Sequence, residues 1–423
     1  MVESSMGGGA DLSCLSLAAS VVISALGAVV CHHLIIEYIP VFIARKMYGN
    51  DQCKKSDRPV PEPMGIICAG VWLTCVFVFI PFPFLQWTTY EAEFPHAKFY
   101  GFLSALLSIS SAILLGFIDD VLDLRWRHKL LFPTLSTLPV LMVYYLSGSS
   151  TTVILPPVLR RLAAPYGLEL PSSLDIHALY YIYMGMLIVF CTNAINILAG
   201  INGLEVGQAI VLAASILLFN VIQLFRMETE TWYHSLSIYL LLPFLATSLV
   251  LYYFNKCPAT VFVGDTFCYW SGMTLAVVAI LGHFSKTLIL FLVPQVANFL
   301  YSIPQLFHLV PCPRHRLPKY DPTTDTVGMS YAEFTTGSLS KPGELVLSLF
   351  EFTGLLYREE FSKDGKSWTR VNNLTIINLV LKYTGRIHEA QLTNILLAIQ
   401  VFFSFLAFFI RFGLAQIFYD VVY

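Results

Sequence analysis

The chain has 423 residues, of which 56% are hydrophobic and only 12% are charged, and its mean hydropathy is +0.69. Soluble domains contain roughly 45–50% apolar residues, so this composition excludes a soluble globular protein and indicates a chain embedded in a lipid bilayer. The formal net charge of −2 carries little information by itself. No nucleic-acid partner is expected.

Ten segments are apolar and long enough to cross a membrane as helices. About 20 mostly apolar residues cover the hydrocarbon core, and such runs occur at residues 15–43, 64–85, 100–118, 130–147, 177–198, 205–225, 235–254, 266–283, 287–310 and 391–415. The opening MVESSMGGGADLS has no basic segment, so we expect no cleaved signal peptide and a first span that is retained. The sequence therefore predicts an all-α polytopic membrane protein with about ten transmembrane helices.

The basic residues predict which ends of these spans face the cytosol. If the connections alternate sides, the two short loops after spans one and three carry eight basic groups, which are Arg45, Lys46, Lys54, Lys55, Arg58, Arg125, Arg127 and Lys129. Short cytosolic loops are enriched in lysine and arginine. We therefore expect these loops in the cytosol and both termini on the opposite side.

One sizeable polar segment lies between spans nine and ten. Residues 311–390 open with PCPRHRLPKYDP and include YREEFSKDGKSWTRV, which predicts a hairpin around Asp364 and Gly365. LTIINLVLKYTG then has the pattern of an amphipathic helix that Gly385 stops. We therefore divide the chain into a membrane core with cytosolic active-site loops, a small mixed α/β cytosolic insert, and a tenth span with its tail, at residues 1–310, 311–390 and 391–423.

The nine cysteines do not indicate a metal site or a disulfide framework. They include no C-x-x-C pair and lie mostly inside predicted spans, so we expect them to pack as small apolar residues. A glycosylation sequon begins at Asn373. Because it falls on the predicted cytosolic side, we expect it to stay unmodified.

Most chemically capable side chains lie in connections on that same side. Asp119, Asp120 and Asp123 follow span three in GFIDDVLDLRWRHK, and CTNAINILAGINGLE joins spans five and six. Asp265 lies in VFVGDTF, and the basic segment PRHR at 313–316 follows span nine. Four separate connections with carboxylates, carboxamides and cations on one membrane face predict a single site.

The residue types indicate metal-assisted chemistry on a phosphate-bearing ligand. Aspartate and asparagine oxygens are hard ligands suited to Mg²⁺ or Mn²⁺, and Mg²⁺ usually takes one or two protein carboxylates together with substrate phosphates. Paired arginines suit bidentate binding of a diphosphate. Asp119 and Asp123 are four residues apart, so in a continuous helix they would share a face and need a cation between them, either a metal or the basic run of Arg125, Arg127 and Lys129.

Less specific explanations stay open for each group. The charges after span three could be solvated at a membrane edge, although acidic groups at that depth tend to be functional. Asn193 and Asn196 could hydrogen-bond neighbouring helices, Asp265 could cap a helix, and the PRHR segment could be a stop-transfer cluster. The alternative function is a polytopic nucleotide-sugar or lipid transporter, which would place polar groups near mid-membrane and on both sides.

The long motifs together resemble those of a known family. GFIDDVLDLRWRHK, FCTNAINILAGINGLE, VFVGDTFCYW, ILGHFSK and PCPRHR resemble the eukaryotic UDP-N-acetylglucosamine–dolichyl-phosphate N-acetylglucosaminephosphotransferases, a branch of the polyprenyl-phosphate N-acetylhexosamine-1-phosphate transferase superfamily. The resemblance implies ten helices in the endoplasmic reticulum membrane, a cytosolic active site and lumenal termini. It also implies transfer of N-acetylglucosamine-1-phosphate from UDP-N-acetylglucosamine to dolichyl phosphate, which opens N-glycan assembly and releases UMP.

The resemblance further implies roles for individual residues. Asn196 and Asp265 match the family's Mg²⁺ ligands, and Lys129 matches the lysine that contacts dolichyl phosphate. We assign Asp119 to orienting the lipid phosphate and accepting its proton, and Asp120 to supporting the metal and Lys129. The nucleotide-sugar contacts are expected from Asn50, Asp51, Gln52, Glu62, Asn202, Phe262, Arg314, His315 and Arg316. The dolichyl-phosphate groove is expected along Val189, Phe190, Cys191, Thr192, Asn193, Ala194, Ile195, Asn196 and Ile197.

Two mechanisms stay open from the sequence. A phosphate monoester has a second pKa near 6, so the lipid phosphate is largely deprotonated at cytosolic pH and can attack the β-phosphorus without an obligatory base. Alternatively, an aspartate attacks first and forms a covalent phosphosugar intermediate. The implied partners are UDP-N-acetylglucosamine, dolichyl phosphate, Mg²⁺ or Mn²⁺ and the bilayer, and a homodimer is compatible with the sequence.

Overall fold

The computed structural model describes residues 6–54, 58–85, 94–155, 157–167, 169–227, 231–314, 316–363 and 365–414. Helices form most of this part of the chain. The α-helices are α1 (Met6–Ala44), α2 (Gly65–Phe79), α3 (His96–Leu122), α4 (Trp126–Ser136), α5 (Leu138–Leu146), α6 (Pro157–Ala163), α7 (Ala178–Ile197), α8 (Leu204–Arg226), α9 (Trp232–Asn255), α10 (Gly264–Leu281), α11 (Ser285–Phe291), α12 (Val293–Leu306), α13 (Lys341–Phe352), α14 (Ile376–Thr384) and α15 (Glu389–Phe409). Short 3₁₀ turns cover Phe82–Phe84 and Ala164–Tyr166, and a π-helical turn extends α15 over Ile410–Leu414.

The described residues contain nine helical spans that are long and apolar enough to cross a membrane. The consecutive helices α11 and α12 bend by 71° and supply a tenth span if the pair counts as one. The predicted all-α polytopic class is therefore confirmed, with nine or ten spans. Span three runs further than predicted, because α3 continues to Leu122 and carries Asp119 and Asp120 inside its last turn.

Helix α10 lies at the centre of the bundle, and 94% of its residues are buried. Gly272 allows α7 to approach it closely, because a Cβ at this position would lie 2.3 Å from the Cys191 carbonyl oxygen. Helix α3 also packs against α10, where Gly116 lies against the backbone of Thr266. The polar ends of α3 and α7 are thereby brought to the N-terminus of α10.

Strands are short and lie in connections between helices. They are β1 (Tyr48–Gly49), β2 (Val60–Pro61), β3 (Thr152–Ile154), β4 (Ser173–Asp175), β5 (Lys319–Asp321), β6 (Thr326–Gly328), β7 (Tyr331–Thr335), β8 (Arg358–Lys363) and β9 (Lys366–Asn372). All pairs are antiparallel: β1 with β2, β3 with β4, β5 with β6, and a three-stranded sheet in the order β7-β9-β8.

The polar segment after α12 contains both strands and helices, as predicted. Strands β8 and β9 pair with Lys363 opposite Lys366, which confirms the hairpin; Asp364 itself lies outside the described residues. Helix α14 starts after the Thr375 cap and ends at Gly385, which has a φ of 74°. The domain boundaries at 310 and 390 stay predictions, and the tail beyond residue 414 lies outside the described part.

The insert packs onto the connections of the membrane core. Val327 of β6 and Leu381 of α14 share a buried apolar cluster with Ile201, which precedes α8, and with Leu392 of α15. Burial of these side chains from water favours the association. The insert, the connection between α7 and α8 and the start of the last span therefore form one packed unit.

Candidate active site

A cavity of about 370 Å³ opens at the end of the bundle where α7 ends and α8, α10 and α15 begin. This volume is within the usual range of small-molecule sites, roughly 300–1,000 Å³. Eight residues proposed from the sequence line it: Asn50, Asp51, Gln52, Glu62, Asn196, Asn202, Phe262 and Asp265. Of the four connections predicted on one membrane face, three supply lining residues, and the connection after span three, with Asp119, Asp120 and Asp123, does not.

One wall of the cavity carries an aromatic ring beside a carboxyl group. The Phe262 N–H donates to the Pro61 carbonyl at 2.9 Å, which holds the segment before α10 against β2. Glu62 follows Pro61, and burial together with the negative charges of Asp265 and Glu205 raises its pKa above the usual value. The Phe262 ring and the Glu62 carboxyl group therefore line the cavity side by side, because this hydrogen bond joins their two backbone segments.

Lys129 joins Asp265, which lines the cavity, to Asp119, which lies behind the lining residues. Its Nζ lies 2.8 Å from Asp265 Oδ2 and 3.0 Å from Asp119 Oδ1. Asn196 Nδ2 donates to the other oxygen of Asp265 at 2.5 Å. Asp119 is only 2% exposed and also accepts from the Tyr269 hydroxyl at 3.2 Å. The ammonium group thus separates two acidic side chains that would otherwise repel each other.

Asp123 does not share a face with Asp119, so that expectation was wrong. Helix α3 ends at Leu122, and Asp123 adopts a left-handed backbone with a φ of 47°. Its side chain is exposed. Lys129, one of the basic residues proposed to supply the cation, lies between Asp119 and Asp265 rather than between Asp119 and Asp123.

Asp120 caps α10 from outside that helix. Its Oδ1 accepts from the Asp265 N–H at 2.6 Å, and its Oδ2 accepts from the Thr266 N–H at 2.8 Å and the Thr266 hydroxyl at 2.5 Å. Orphan N–H groups at a helix N-terminus favour such an anion. Gly264 has a φ of 74°, and a Cβ there would lie 2.8 Å from both Asp120 oxygens. Asp120 therefore caps α10, and the Asp265 carboxylate is free to contact Lys129 and Asn196.

The two asparagines of α7 have different surroundings. Asn193 donates to the Val189 carbonyl of its own helix at 2.8 Å, whereas Asn196 reaches Asp265. Within the proposed lipid-phosphate groove, four side chains are buried in the protein: Cys191, Thr192, Ala194 and Ile195. Five are partly exposed: Val189, Phe190, Asn193, Asn196 and Ile197. Only the second set has side-chain surface available to a ligand.

The basic segment after α12 lies beside the cavity. Leu317 lines the cavity wall, whereas Arg314 is exposed and Arg316 is partly buried. The Nη1 atom of Arg316 is buried without a hydrogen-bond partner among the described residues, so this guanidinium has a free donor for an anion. His315 lies outside the described residues.

Sequence comparisons identify the family. Residues 102–283 match the model of glycosyl transferase family 4. The UDP-N-acetylglucosamine–dolichyl-phosphate N-acetylglucosaminephosphotransferase of Saccharomyces cerevisiae is 39% identical over 397 residues, which cover 89% of this chain and 87% of the yeast protein. The enzyme of that name from Schizosaccharomyces pombe is 40% identical over 400 residues, with 90% and 88% covered. The chain belongs to the UDP-N-acetylglucosamine–dolichyl-phosphate N-acetylglucosaminephosphotransferase family.

A bacterial relative extends this family relationship. The phospho-N-acetylmuramoyl-pentapeptide-transferase of Borrelia hermsii is 26% identical over 267 residues, covering 57% of this chain and 69% of the bacterial protein. The resemblance noted from the motifs is confirmed by these matches. Fifteen of the proposed site residues fall inside the segment that matches the glycosyl transferase family 4 model: Asp119, Asp120, Lys129, Asn202, Phe262, Asp265 and the nine residues 189–197.

Sequence reasoning missed several residues of this phosphotransferase-family cavity. Glu205, Asn255 and Glu389 line it. Glu205 accepts from the Gly200 N–H at 2.9 Å, and Asn255 accepts from the Gly203 N–H at 3.1 Å. Glu205 ends the motif GINGLE, and Glu389 is an acidic residue at the edge of an apolar span. Acidic and amide side chains are rare at membrane depth, and this rarity is the sequence signal that could have revealed these three residues.

The donor set at Asp265 fits a magnesium ion. Asp265 and Asn196 both line the cavity, and each carries the hard oxygen type that Mg²⁺ prefers. An ion held there would replace the contacts that Lys129 and the Asn196 amide nitrogen make with the Asp265 carboxylate. One carboxylate and one carboxamide leave room for substrate phosphates, which usually complete a Mg²⁺ site. A separate group of Asp51, Cys53 and Glu389 has ligand atoms within 4.8 Å of one another. It includes a cysteine sulfur, a soft ligand that Mg²⁺ does not favour, and Lys54 pairs with its Glu389 at 3.3 Å.

Proposed function

We propose that the chain transfers N-acetylglucosamine-1-phosphate from UDP-N-acetylglucosamine to dolichyl phosphate, giving N-acetylglucosaminyl-diphosphodolichol and UMP. The observation that carries the proposal is the Lys129 ammonium, which bridges Asp119 and Asp265 at the margin of the cavity. The two yeast relatives that cover nearly the whole chain bear the name of this enzyme. The transporter alternative has no support from the relatives, whose names are those of transferases.

The cavity suits the nucleotide end of the donor. Phe262 offers a ring face on which a uracil can stack, and Asn202 and Asp51 supply polar groups across the cavity. Aromatic stacking on a base contributes roughly 1–3 kcal/mol. Asn50, Gln52 and Glu62 line the same space. We assign these six residues to the nucleotide.

The diphosphate and sugar are assigned to the basic segment. Arg316 has a buried guanidinium nitrogen without a partner among the described residues, and Arg314 is exposed nearby in the chain. Arginine binds phosphate oxygens bidentately. His315 is assigned with them by the family motif.

Asp265 and Asn196 would hold Mg²⁺, or Mn²⁺ in its place. When bound, the ion would offset negative charge on the diphosphate and on the departing UMP. Asp120 contributes by keeping the first turn of α10, and hence Asp265, in place through its three hydrogen bonds.

Lys129 is assigned to the lipid phosphate. Two anions must approach each other in this reaction, and a fixed cation lowers their repulsion. The ammonium is held from two sides, by Asp119 and Asp265, and is 24% exposed, so it keeps a free side for a ligand. The partly exposed residues of α7 (Val189–Ile197) would guide the lipid towards it.

The surroundings of Asp119 favour direct attack by the lipid phosphate. Its Oδ1 accepts from the Leu124 N–H at 3.0 Å and pairs with Lys129, and its Oδ2 accepts from Tyr269. A carboxylate with both oxygens engaged and 2% exposure is poorly placed to form a covalent phosphosugar bond. Asp119 therefore orients Lys129, and the lipid phosphate, already deprotonated at neutral pH, attacks the β-phosphorus.

The cellular setting follows from the proposed substrates. A polytopic chain that uses a cytosolic nucleotide sugar and a membrane lipid is assigned to the endoplasmic reticulum membrane, with its cavity in the cytosol and both termini in the lumen. The eight basic groups of the two short loops support this orientation. A homodimer is compatible with the proposal and is tested by the mass of the purified protein in detergent.

The function is tested with purified protein, Mg²⁺, dolichyl phosphate and UDP-N-acetylglucosamine labelled in the sugar and in the β-phosphate. We expect both labels in the lipid phase and release of UMP. Movement of the sugar label alone, with release of UDP, would indicate a glycosyltransferase instead. Movement of neither label in a folded sample would overturn the proposal.

The same preparation separates the two mechanisms. Labelled UMP is incubated with UDP-N-acetylglucosamine in the absence of any lipid acceptor. Direct attack predicts no exchange of label into the nucleotide sugar. Exchange would require a phosphosugar held on the protein and would contradict the role given to Asp119.

A further inference from the structure

The first residue of the last transmembrane helix contacts the nucleotide cavity. Glu389 begins α15, is only 2% exposed and lines the cavity. Its Oε1 accepts from the Asn202 N–H at 2.8 Å. Thr393, one turn further along α15, donates to the Asn202 carbonyl at 3.0 Å. Both the N–H and the carbonyl group of Asn202 are therefore hydrogen-bonded to the first turn of this helix.

The side-chain amide of Asn202 is hydrogen-bonded as well. Its Nδ2 donates to Asp51 Oδ2 at 2.8 Å and to Glu389 Oε2 at 3.3 Å. A primary amide has two N–H donors and one acceptor oxygen. Both donors are engaged, and the described residues donate no hydrogen bond to Asn202 Oδ1. The acceptor oxygen is thus the part of this side chain left for a ligand.

Lys54 balances the charge of this cluster. Its Nζ lies 3.3 Å from Glu389 Oε2, with the two side chains 17% and 2% exposed. Burial lowers the pKa of Lys54, but Cys257 and Glu389 raise it by more, so its pKa lies above the usual value and the group stays charged. A buried carboxylate requires such a partner.

Lys54 also accounts for the group of possible metal ligands at Asp51, Cys53 and Glu389. The position that a metal ion would take is next to an ammonium group. Burial, and then the charges of Glu389 and Asp51, raise the pKa of the Cys53 thiol far above its usual value. A neutral thiol beside a lysine does not favour a metal ion, so this group is better explained as a support for Asn202.

We infer that Glu389 is a positioning residue for base recognition: together with Asp51 it engages both N–H groups of the Asn202 amide and turns its Oδ1 towards the cavity as an acceptor. This inference rests on the proposed function. An acceptor at this position matches the imide N–H of uracil. Cytosine has an unprotonated ring nitrogen at the corresponding place, so two acceptors would face each other. The arrangement would therefore select uridine over cytidine nucleotides.

The decisive variant is Glu389→Gln, studied in the full chain. Glutamine keeps an oxygen for the Asn202 N–H, but it loses the charge that pairs with Lys54 and places N–H groups where Asn202 donates. We expect KM for UDP-N-acetylglucosamine to rise about tenfold with kcat within about twofold of wild type, since nucleotide binding rather than the reacting phosphates is affected. We also expect the preference for UMP over CMP, measured as competitive inhibition, to fall towards one.

A matched control is Glu344→Gln in the insert. Glu344 pairs with Arg358 at 2.8 Å and does not line the cavity. This variant makes the same substitution in a carboxylate–cation pair whose carboxylate is 44% exposed, and we expect unchanged KM and unchanged UMP preference. It separates a general effect of charge removal from the specific effect on Asn202.

The outcomes distinguish this inference from the proposed function. A wild-type protein that neither turns over the nucleotide sugar nor binds UMP would refute the proposed function. An active wild type, with a Glu389→Gln variant that keeps both KM and the UMP preference, would refute only the role of Glu389. If Glu389→Gln does not fold, Asp51→Ala removes the other acceptor of the Asn202 amide. Its UMP preference should then collapse in the same way, and an unchanged preference would contradict the inference.

Discussion

Replacing Asp120 by asparagine tests whether this residue acts through the structure of α10 or through direct chemistry. The carboxylate accepts three hydrogen bonds from Asp265 and Thr266. Asparagine has one acceptor oxygen, so its amino group must face at least one of these donors. The variant therefore loses at least one charge-assisted bond and the negative charge at a helix N-terminus.

The expected magnitude follows from these two losses. A hydrogen bond to a charged group contributes ~1.5–3 kcal/mol, and an anion at a helix N-terminus ~0.3–1 kcal/mol. Together they predict that Asp120→Asn lowers the free energy of unfolding by about 2–4 kcal/mol. Since Asp265 is the first residue held by this cap, the rate of phosphosugar transfer should fall in the same variant.

The measurement combines thermal unfolding of the detergent-solubilised protein with initial rates of transfer. Asp123→Asn is the matched control, because it makes the identical change three residues along at an exposed position. We expect little change in this control, as for most surface substitutions. An Asp120→Asn protein with the wild-type unfolding temperature and no activity would refute the capping role and indicate direct contact with substrate or metal.

Three further predictions concern the cation bridge, the packing of α10 and the carboxyl group in the cavity wall. In rate assays, Lys129→Met should abolish transfer, whereas Lys129→Arg should keep a part of it. Asp265→Ala should be inactive, and an active Asp265→Ala protein would contradict the assigned metal site. Gly272→Ala should lower the unfolding temperature by more than Gly70→Ala, because an added methyl would lie 2.3 Å from the Cys191 carbonyl oxygen whereas Gly70 has open space. Burial first, and nearby carboxylates second, raise the pKa of Glu62 in the folded protein. Ionisation of Glu62 therefore opposes folding, and the free energy of unfolding should fall as pH rises above the pKa that Glu62 has in the unfolded chain. Glu62→Gln should therefore gain stability relative to wild type between pH 4 and pH 8 in unfolding measurements, and a constant difference would refute this.

The positions of the spans were predictable because they depend on local composition. A run of about 20 apolar residues is long enough for the hydrocarbon core wherever the chain continues, and the predicted spans agree closely with the observed helices. The site residues were predictable for a related reason. Acidic and amide side chains are costly near a membrane, so Asp265 and Asn196 stood out in the sequence before their contact was known.

Pairings between distant segments were not predictable. Asp120 meets its three donors about 145 residues further along the chain, and two of these donors are backbone N–H groups that no sequence pattern marks. The end of α3 was also not predictable. The helix ends at Leu122 and Asp123 has a left-handed backbone conformation, so Asp119 and Asp123 do not share a face although their spacing favoured one.

The sequence by itself determined the membrane class, the approximate spans and the side chains able to perform phosphosugar chemistry, because hydrophobicity and residue type are local properties. Only the tertiary structure decided which of those side chains meet. The close approach of α7 to α10 at Gly272 brings Asn196 to Asp265, and α15 brings Glu389 to Asn202 across 187 residues. Such contacts depend on helix packing across the whole chain, and no local pattern encodes them.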